Sequence, residues 1–178
     1  MHALDLIRRL HEHRVWVNRK LVDAAERLSL ESLRKPFSMG QGSIWKSLLH
    51  LYAAEYAWLE ALSGHEDPLV PGDLPKKLTG NQEGAAAISS LDELKSKWAQ
   101  LDARWQAYLH NLTADDLEAT VFKVSSSSGQ RHATRRSDVL LHVCTHAHYT
   151  TAQVINMLRR CGVDPLPDVM LITLARQK

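Results

Sequence analysis

The sequence predicts an all-α protein, a four-helix bundle of up-up-down-down-like order with a small β-hairpin before its last helix. Four segments repeat apolar residues at helical spacing. A stretch rich in glycine and proline, residues 64–88, separates the second helix from the third, and a connection of that length suits a crossover between parallel helices. Just before the last helix the pattern changes to a strand-like alternation.

Length and composition favour one soluble domain. The chain has 178 residues, which predicts a single domain over residues 1–178. Its net charge of +2 is too small to argue for nucleic acid as a partner. The longest apolar runs are too short to span a membrane and the first residues are charged throughout, so we expect neither a membrane span nor a secretory leader. Cys144 and Cys161 are predicted on one helix, too far apart to pair, so we expect a cytoplasmic protein.

The first two helices follow from spacing and from breakers. Apolar residues keep helical spacing over residues 2–29, and residues 30–42 contain the proline and glycines of a loop. Ser43 is the expected N-cap of a helix over residues 44–63, which Gly64 ends.

Two histidine features of these helices bear on function. His11 and His13 point to different faces of the first helix, and we interpret them as solvated. The second helix instead surrounds His50 with small residues, a face that lets another helix approach closely or leaves room beside the imidazole. That face comprises Ser43, Ser47, Ala53, Ala54, Ala57 and Ala61.

The third helix and the hairpin complete the order of elements. Ser90 and Glu93 form a capping-box pattern at the start of the third helix. Alternation over residues 120–124 and a basic stretch over residues 131–136 predict two strands joined by a Ser/Gly turn. The basic stretch is either an anion-binding patch or a solvated rim. The tail, residues 168–176, is expected to form a last helical turn against the bundle.

The last helix, residues 138–162, carries three of the chain's ten histidines. At 100° per residue, His142, His146, Tyr149 and Gln153 share one face, whereas the other faces are apolar. We therefore expect a mostly buried helix whose histidine stripe faces a polar site.

This stripe suggests a metal site. His142 and His146 lie one turn apart, as two ligands of one ion do, and His50 from the facing helix would complete the set. Asp138 and Gln153 are candidates to hydrogen-bond the ligands. The alternative is that the histidines make hydrogen bonds within the core.

Two nearby side chains do not suit this metal site. His148 lies about 200° around the helix from His146, so both cannot easily bind the same ion. Cys144 lies on the side opposite His142 and is expected to be a small buried hydrophobe.

Several motifs together resemble the DinB-like superfamily of four-helix bundles over nearly the whole chain. The first helix has the aromatic–x–Asn element Trp16-Val17-Asn18, and the second has His50 within LLHL. The last helix has His146 and Gln153 in THAHYTTAQV, followed by a glycine and a proline. The resemblance implies that His50 and His146 are metal ligands. The third ligand usual in that family falls at Thr150 here, and His142, one turn earlier, is the candidate substitute.

The resemblance also implies a class of activity. Members with known roles are metal-dependent enzymes that use low-molecular-weight thiols, such as bacillithiol or mycothiol transferases. It therefore implies a divalent ion (Zn, Ni or Fe) at His50, His142 and His146, a small-molecule substrate or thiol, transfer or hydrolysis, and a homodimer. The alternative is a non-catalytic dimeric binding protein with a degenerate metal site, which Thr150 favours. A small-ligand pocket without metal and nucleic-acid binding are weaker alternatives.

Overall fold

The structure, a computed structural model, describes residues 2–126 and 128–177 and consists mainly of four long helices. Six α-helices lie along the described chain: α1 (Ala3–Ala25), α2 (Leu30–Arg34), α3 (Ile44–Leu62), α4 (Leu91–Asn111), α5 (Arg136–Arg160) and α6 (Leu171–Ala175). A 3-10 turn and two strands precede α5: Asp115–Glu118, β1 (Thr120–Val124) and β2 (Arg131–Arg135). The predicted fold class, a four-helix bundle with a long crossover and a small hairpin, is confirmed.

The first connection differs from the prediction. Helix α1 ends at Ala25 rather than near residue 29, and part of the predicted loop forms α2. The Ser29 hydroxyl accepts a hydrogen bond from the Ser32 amide, which caps this short helix, and Glu31 lies in its first turn. Helical spacing continued through this region, so the sequence pattern did not reveal the break.

Glycines end the two helices that carry the candidate ligands. After α3, the amide of His65 bonds the carbonyl of Glu60, and Gly64 has φ +99°. After α5, the amide of Val163 bonds the carbonyl of Leu158, and Gly162 has φ +78°. Both arrangements are Schellman ends, in which only glycine adopts the left-handed conformation without strain. Both predicted helix ends are thus confirmed.

The core lies where α5 packs against α1 and α3. Its fully buried side chains are mostly leucines, and the largest is Trp105 of α4, which has 1% of its surface exposed. Burial of so many apolar side chains is the main stabilising contribution to a bundle. The face of α5 that turns away from this core is exposed: Leu141 has 40% and Tyr149 69% of its surface accessible. The expectation of a mostly buried last helix is therefore wrong for that face.

The hairpin leads directly into α5. Its strands are antiparallel, with Phe122 opposite Ala133, and β2 is followed at once by Arg136, so the last helix begins earlier than predicted. Within the predicted Ser/Gly turn, Ser127 lies outside the described residues. On β2, Arg131 pairs with Glu66, and Arg135 lies near Glu118 and Asp138. Ion pairing of this kind favours the solvated-rim interpretation over an anion-binding patch.

The tail returns to the bundle. The ring of His13 in α1 donates a hydrogen bond from Nε2 to the carbonyl of Val169, at 2.8 Å. Helix α6 follows, as the sequence predicted, with Met170 and Ile172 exposed. Across the described part of the chain, none of the helices combines the length and the apolar character that crossing a bilayer requires.

Candidate metal centre

Two of the three predicted ligands meet between α3 and α5. The Nε2 atoms of His50 and His146 lie 3.1 Å apart, and their ring centroids are separated by 5.0 Å in an edge-on arrangement. Both side chains are half-buried. We call these two residues the histidine pair.

The separation of the pair suits a shared metal ion. Two imidazole nitrogens bound at about 2.05 Å to one ion lie about 2.9 Å apart at a right angle and about 3.3 Å apart at the tetrahedral angle. The observed 3.1 Å falls between these values. The pair can therefore hold a divalent ion with small side-chain adjustments.

The second ring nitrogen of His50 is fixed by the backbone. His50 Nδ1 lies 3.0 Å from the carbonyl oxygen of Thr79. A carbonyl only accepts, so Nδ1 carries the proton and neutral His50 presents an unprotonated Nε2 to His146. A ligating histidine usually has this partner, because it sets both the tautomer and the ring orientation. Without a cation, His146 donates its Nε2 proton to His50 Nε2.

Electrostatics keep His146 neutral. Burial, then the neighbouring His50 and His142, lower the pKa of His146 to about 4. Burial also lowers the pKa of His142. Neutral imidazole is the form that binds metals, so no proton has to leave a histidinium at neutral pH before a cation binds.

His142 lies near the pair but does not join it. Its ring centroid is 5.8 Å from that of His146, and its ring packs edge-on at 5.2 Å against Trp58. The Lys123 ammonium lies 5.3 Å from the centroid of the same indole. Over residues 2–126 and 128–177, no group of three or more His, Cys, Asp or Glu side chains is arranged to hold a metal ion.

The other residues that the sequence analysis considered for this site take different positions. Thr150 is buried, with 2% of its surface exposed. Gln153 faces the loop before α3, where a Cβ added at Gly40 would lie 2.9 Å from its Oε1. Asp138 is an exposed side chain whose Oδ2 lies 3.4 Å from Nε of Arg135. Cys144 is buried as expected, and burial raises its pKa to about 12, which keeps the thiol protonated.

A separate polar cluster, which the sequence did not predict, lies in the bundle interior. Glu55 Oε1 accepts from Asn18 Nδ2 at 2.7 Å, its Oε2 accepts from Trp98 Nε1 at 3.0 Å, and Arg14 forms an ion pair with it. All four side chains are buried. We call this cluster the Glu55 network. Its sequence signal was Arg14 and Asn18, one turn apart among the apolar residues of α1.

The interpretation of His11 and His13 as solvated is wrong. They expose 2% and 1% of their surface. His11 Nε2 donates to the carbonyl of Leu140 at 3.1 Å, and its ring lies 4.8 Å from that of Trp105. Burial lowers the pKa of His11 to about 3, so it is a neutral core histidine. Helical spacing alone did not show that both faces of α1 are covered, one by α4 and the other by the tail.

A cavity of about 720 Å³ lies between α1 and α4. Arg8, Trp16, Asp102 and Gln106 are among the residues that line it, and none of the three candidate ligands does. Size alone would make it a candidate ligand pocket. This cavity is separate from the histidine pair, which lies between α3 and α5.

Comparison with known proteins identifies the family of this chain. The sequence matches the DinB family over residues 2–177. The chain belongs to the DinB family. The protein DinB of Bacillus subtilis (strain 168) is 26% identical over 165 residues, covering 92% of this chain and 90% of that protein.

A solved structure has the same fold. It is YfiT from Bacillus subtilis, a probable metal-dependent hydrolase with an unusual four-helix bundle topology. The two structures superpose with a TM-score of 0.67 at 16% sequence identity, covering 91% of each chain. At that identity the similarity concerns the fold alone.

Proposed function

We propose that this DinB-family protein binds a divalent metal ion through the histidine pair and is a metal-dependent enzyme acting on a small molecule. The observation that carries the proposal is the 3.1 Å separation of the two Nε2 atoms, with the Nδ1 proton of His50 already held by Thr79. A bundle relative, YfiT, is described as a probable metal-dependent hydrolase, which supports the same class of chemistry here.

The candidate ligands and their neighbours have separate roles at the ion. His50 and His146 hold the ion, and His142 is the candidate third ligand, in place of the histidine that Thr150 replaces. A metal with few protein ligands keeps open positions, where it polarises a carbonyl or lowers the pKa of bound water or thiol. Trp58 supplies an apolar wall beside His142, and the Lys123 ammonium, 5.3 Å from the indole centroid, adds a positive charge next to it.

Metal binding is tested first. Purified protein is stripped with a chelator, and its zinc affinity is measured by competition with a chromophoric chelator. We expect the wild type to bind one equivalent, and His50→Ala and His146→Ala to lose most of the affinity. His148→Ala is the matched control, because His148 lies on α5 but its ring contacts His13 instead of the pair. Equal zinc binding by all four proteins, or none by the wild type, rejects the proposal.

The substrate class is tested separately. We propose a low-molecular-weight thiol as one substrate, with transfer to or hydrolysis of an electrophilic partner. Cobalt-loaded protein is titrated with cysteine and, as a matched control, with serine. A thiolate-to-cobalt charge-transfer band that appears only with cysteine supports the thiol. An unchanged spectrum with both leaves hydrolysis as the proposed reaction and removes the thiol.

A second candidate function is a non-catalytic dimeric binding protein with a degenerate metal site. Thr150 favours it, and so does the distance of His142 from the pair. Met170, Ile172 and Tyr149 supply exposed apolar surface that a homodimer would cover. Thermal melting with and without zinc separates the two functions, because an ion that binds only the folded protein raises its melting temperature. Light scattering reports whether the protein is a dimer.

A further inference from the structure

The crossover loop, residues 63–90, contains no helix or strand but is tightly organised around one carboxylate. Asp73, with 9% of its surface exposed, accepts three hydrogen bonds. They come from the Gly80 amide at 2.6 Å, the Gln82 amide at 2.9 Å and Gln82 Nε2 at 2.8 Å. A buried carboxylate with three donors holds its partners in one arrangement. Asp73 therefore pins the part of the loop that begins at Gly80.

The same loop has an unusual backbone. Gln82 has φ +48° and Lys76 has φ +60°, and no other described residue apart from glycine has a positive φ. Such conformations are unfavourable and persist only where the surroundings enforce them. Here the Gln82 side chain donates to the Pro71 carbonyl and accepts from the Ile88 amide. The loop path is thus enforced from several sides.

This loop reaches the histidine pair at two adjacent residues. Thr79 presents its carbonyl to His50 Nδ1. Gly80 packs on the α3 backbone so closely that an added Cβ would lie 2.8 Å from His50 Cα and 3.0 Å from Ala53 Cβ. The face of small residues on α3 therefore packs against this loop. The sequence indicated either another helix or empty space beside the His50 imidazole. Any side chain at residue 80 would move the Thr79 carbonyl away from His50.

We propose that Asp73 and Gly80 are positioning residues for the metal ligand His50. They hold the Thr79 carbonyl against Nδ1, which keeps the proton there and leaves Nε2 free to bind the ion. The role in metal binding rests on the proposed function. The effect on the His50 tautomer does not, because it belongs to the metal-free protein.

The test reads the tautomer directly. Nitrogen-15 NMR of the histidine rings is recorded on the metal-free wild type, Gly80→Ala and Asp73→Asn at neutral pH. We expect His50 to be protonated at Nδ1 in the wild type and to become a mixture of tautomers in both variants. Gly64→Ala is the matched control. It also places alanine at a positive φ, +99°, but no atom lies within 4 Å of its Cβ. It should leave the His50 signals unchanged.

Zinc affinity of the same four proteins completes the experiment. We expect Gly80→Ala and Asp73→Asn to bind zinc roughly 10- to 100-fold more weakly than the wild type, the usual cost of removing support from a ligand. If the tautomer changes but the wild type binds no zinc, the positioning role stands and the proposed function fails. If both loop variants keep the wild-type tautomer, the positioning role is overturned, whatever their affinity. Asp73→Asn adds no atom at the contact, so it decides the question if Gly80→Ala does not fold.

Discussion

The Glu55 network and the histidine pair are both built on α3, yet they are completed in opposite ways. Both oxygens of Glu55 are bonded by side chains from α1 and α4, and 2% of the residue is exposed. The two Nε2 atoms of the histidine pair face each other, and both rings are only half-buried. The Glu55 carboxylate is thus bonded within the protein, whereas His50 Nε2 and, once its proton moves to Nδ1, His146 Nε2 can bind a common ion.

We interpret the Glu55 network as a structural polar centre and the histidine pair as the candidate functional one. A buried charge is tolerated when the protein supplies all its partners, and removing one of them leaves an uncompensated charge. A centre meant to bind an exogenous ion must instead keep ligand atoms available, held in orientation by groups behind them. The Thr79 carbonyl orients His50 in this way. Three substitutions test whether the two centres differ in this way.

Replacing Glu55 should have the largest effect. Glu55→Ala leaves Arg14 buried without its carboxylate, and we expect the free energy of unfolding to fall by about 3 to 5 kcal/mol. The measurement is urea unfolding at neutral pH. Glu66→Ala is the control, since it removes an exposed ion pair with Arg131 and should cost less than about 1 kcal/mol. If both variants lose the same amount, the Glu55 network does not hold the bundle together.

Replacing Asp102, beside the network, should have a smaller effect that depends on pH. Burial, then the charge of Glu55, raise the pKa of Asp102 to about 6 from its usual 3.8. The folded protein thus holds this proton more tightly than the unfolded chain, so the carboxyl lowers the free energy of unfolding as pH rises through that interval.

We therefore expect Asp102→Asn to be more stable than the wild type above pH 7, by about 1 to 2 kcal/mol after allowing for solvent near the carboxyl. The difference should shrink as pH falls towards 4. Urea unfolding of both proteins over this pH range measures it, and comparison at each pH cancels the contribution of the buried histidines. A variant less stable than the wild type at every pH would show that the Asp102 charge is well compensated.

Replacing His142 should have the smallest effect on stability. It is exposed, so we expect His142→Ala to change the free energy of unfolding by less than about 0.5 kcal/mol. If His142 supplies the third ligand, zinc affinity should fall by about 10-fold, less than for His50→Ala. Competition with a chromophoric chelator measures both variants. Unchanged affinity would restrict the centre to the histidine pair.

Periodicity and motifs predicted much of the fold and part of the candidate centre. Helical spacing located the four long helices, and Gly64 and Gly162 marked two of their ends. Family motifs singled out His50 and His146, and in the structure their Nε2 atoms lie 3.1 Å apart. These features are local, because a helix face and a capping residue depend on neighbours within a few turns.

What surrounds those residues is visible only in the tertiary structure. Burial of His11 and His13 depends on α4 and on the tail, which lie far away in sequence. The partners of Glu55 come from two other helices, and the carbonyl that orients His50 belongs to a loop without periodic pattern. Local sequence patterns thus predicted the four long helices and the side chains that could bind a metal. Packing between distant segments decides how the helices cross and how the loop folds back. The structure is therefore needed to show that protein groups bond both oxygens of Glu55, whereas the two Nε2 atoms of the histidine pair face each other.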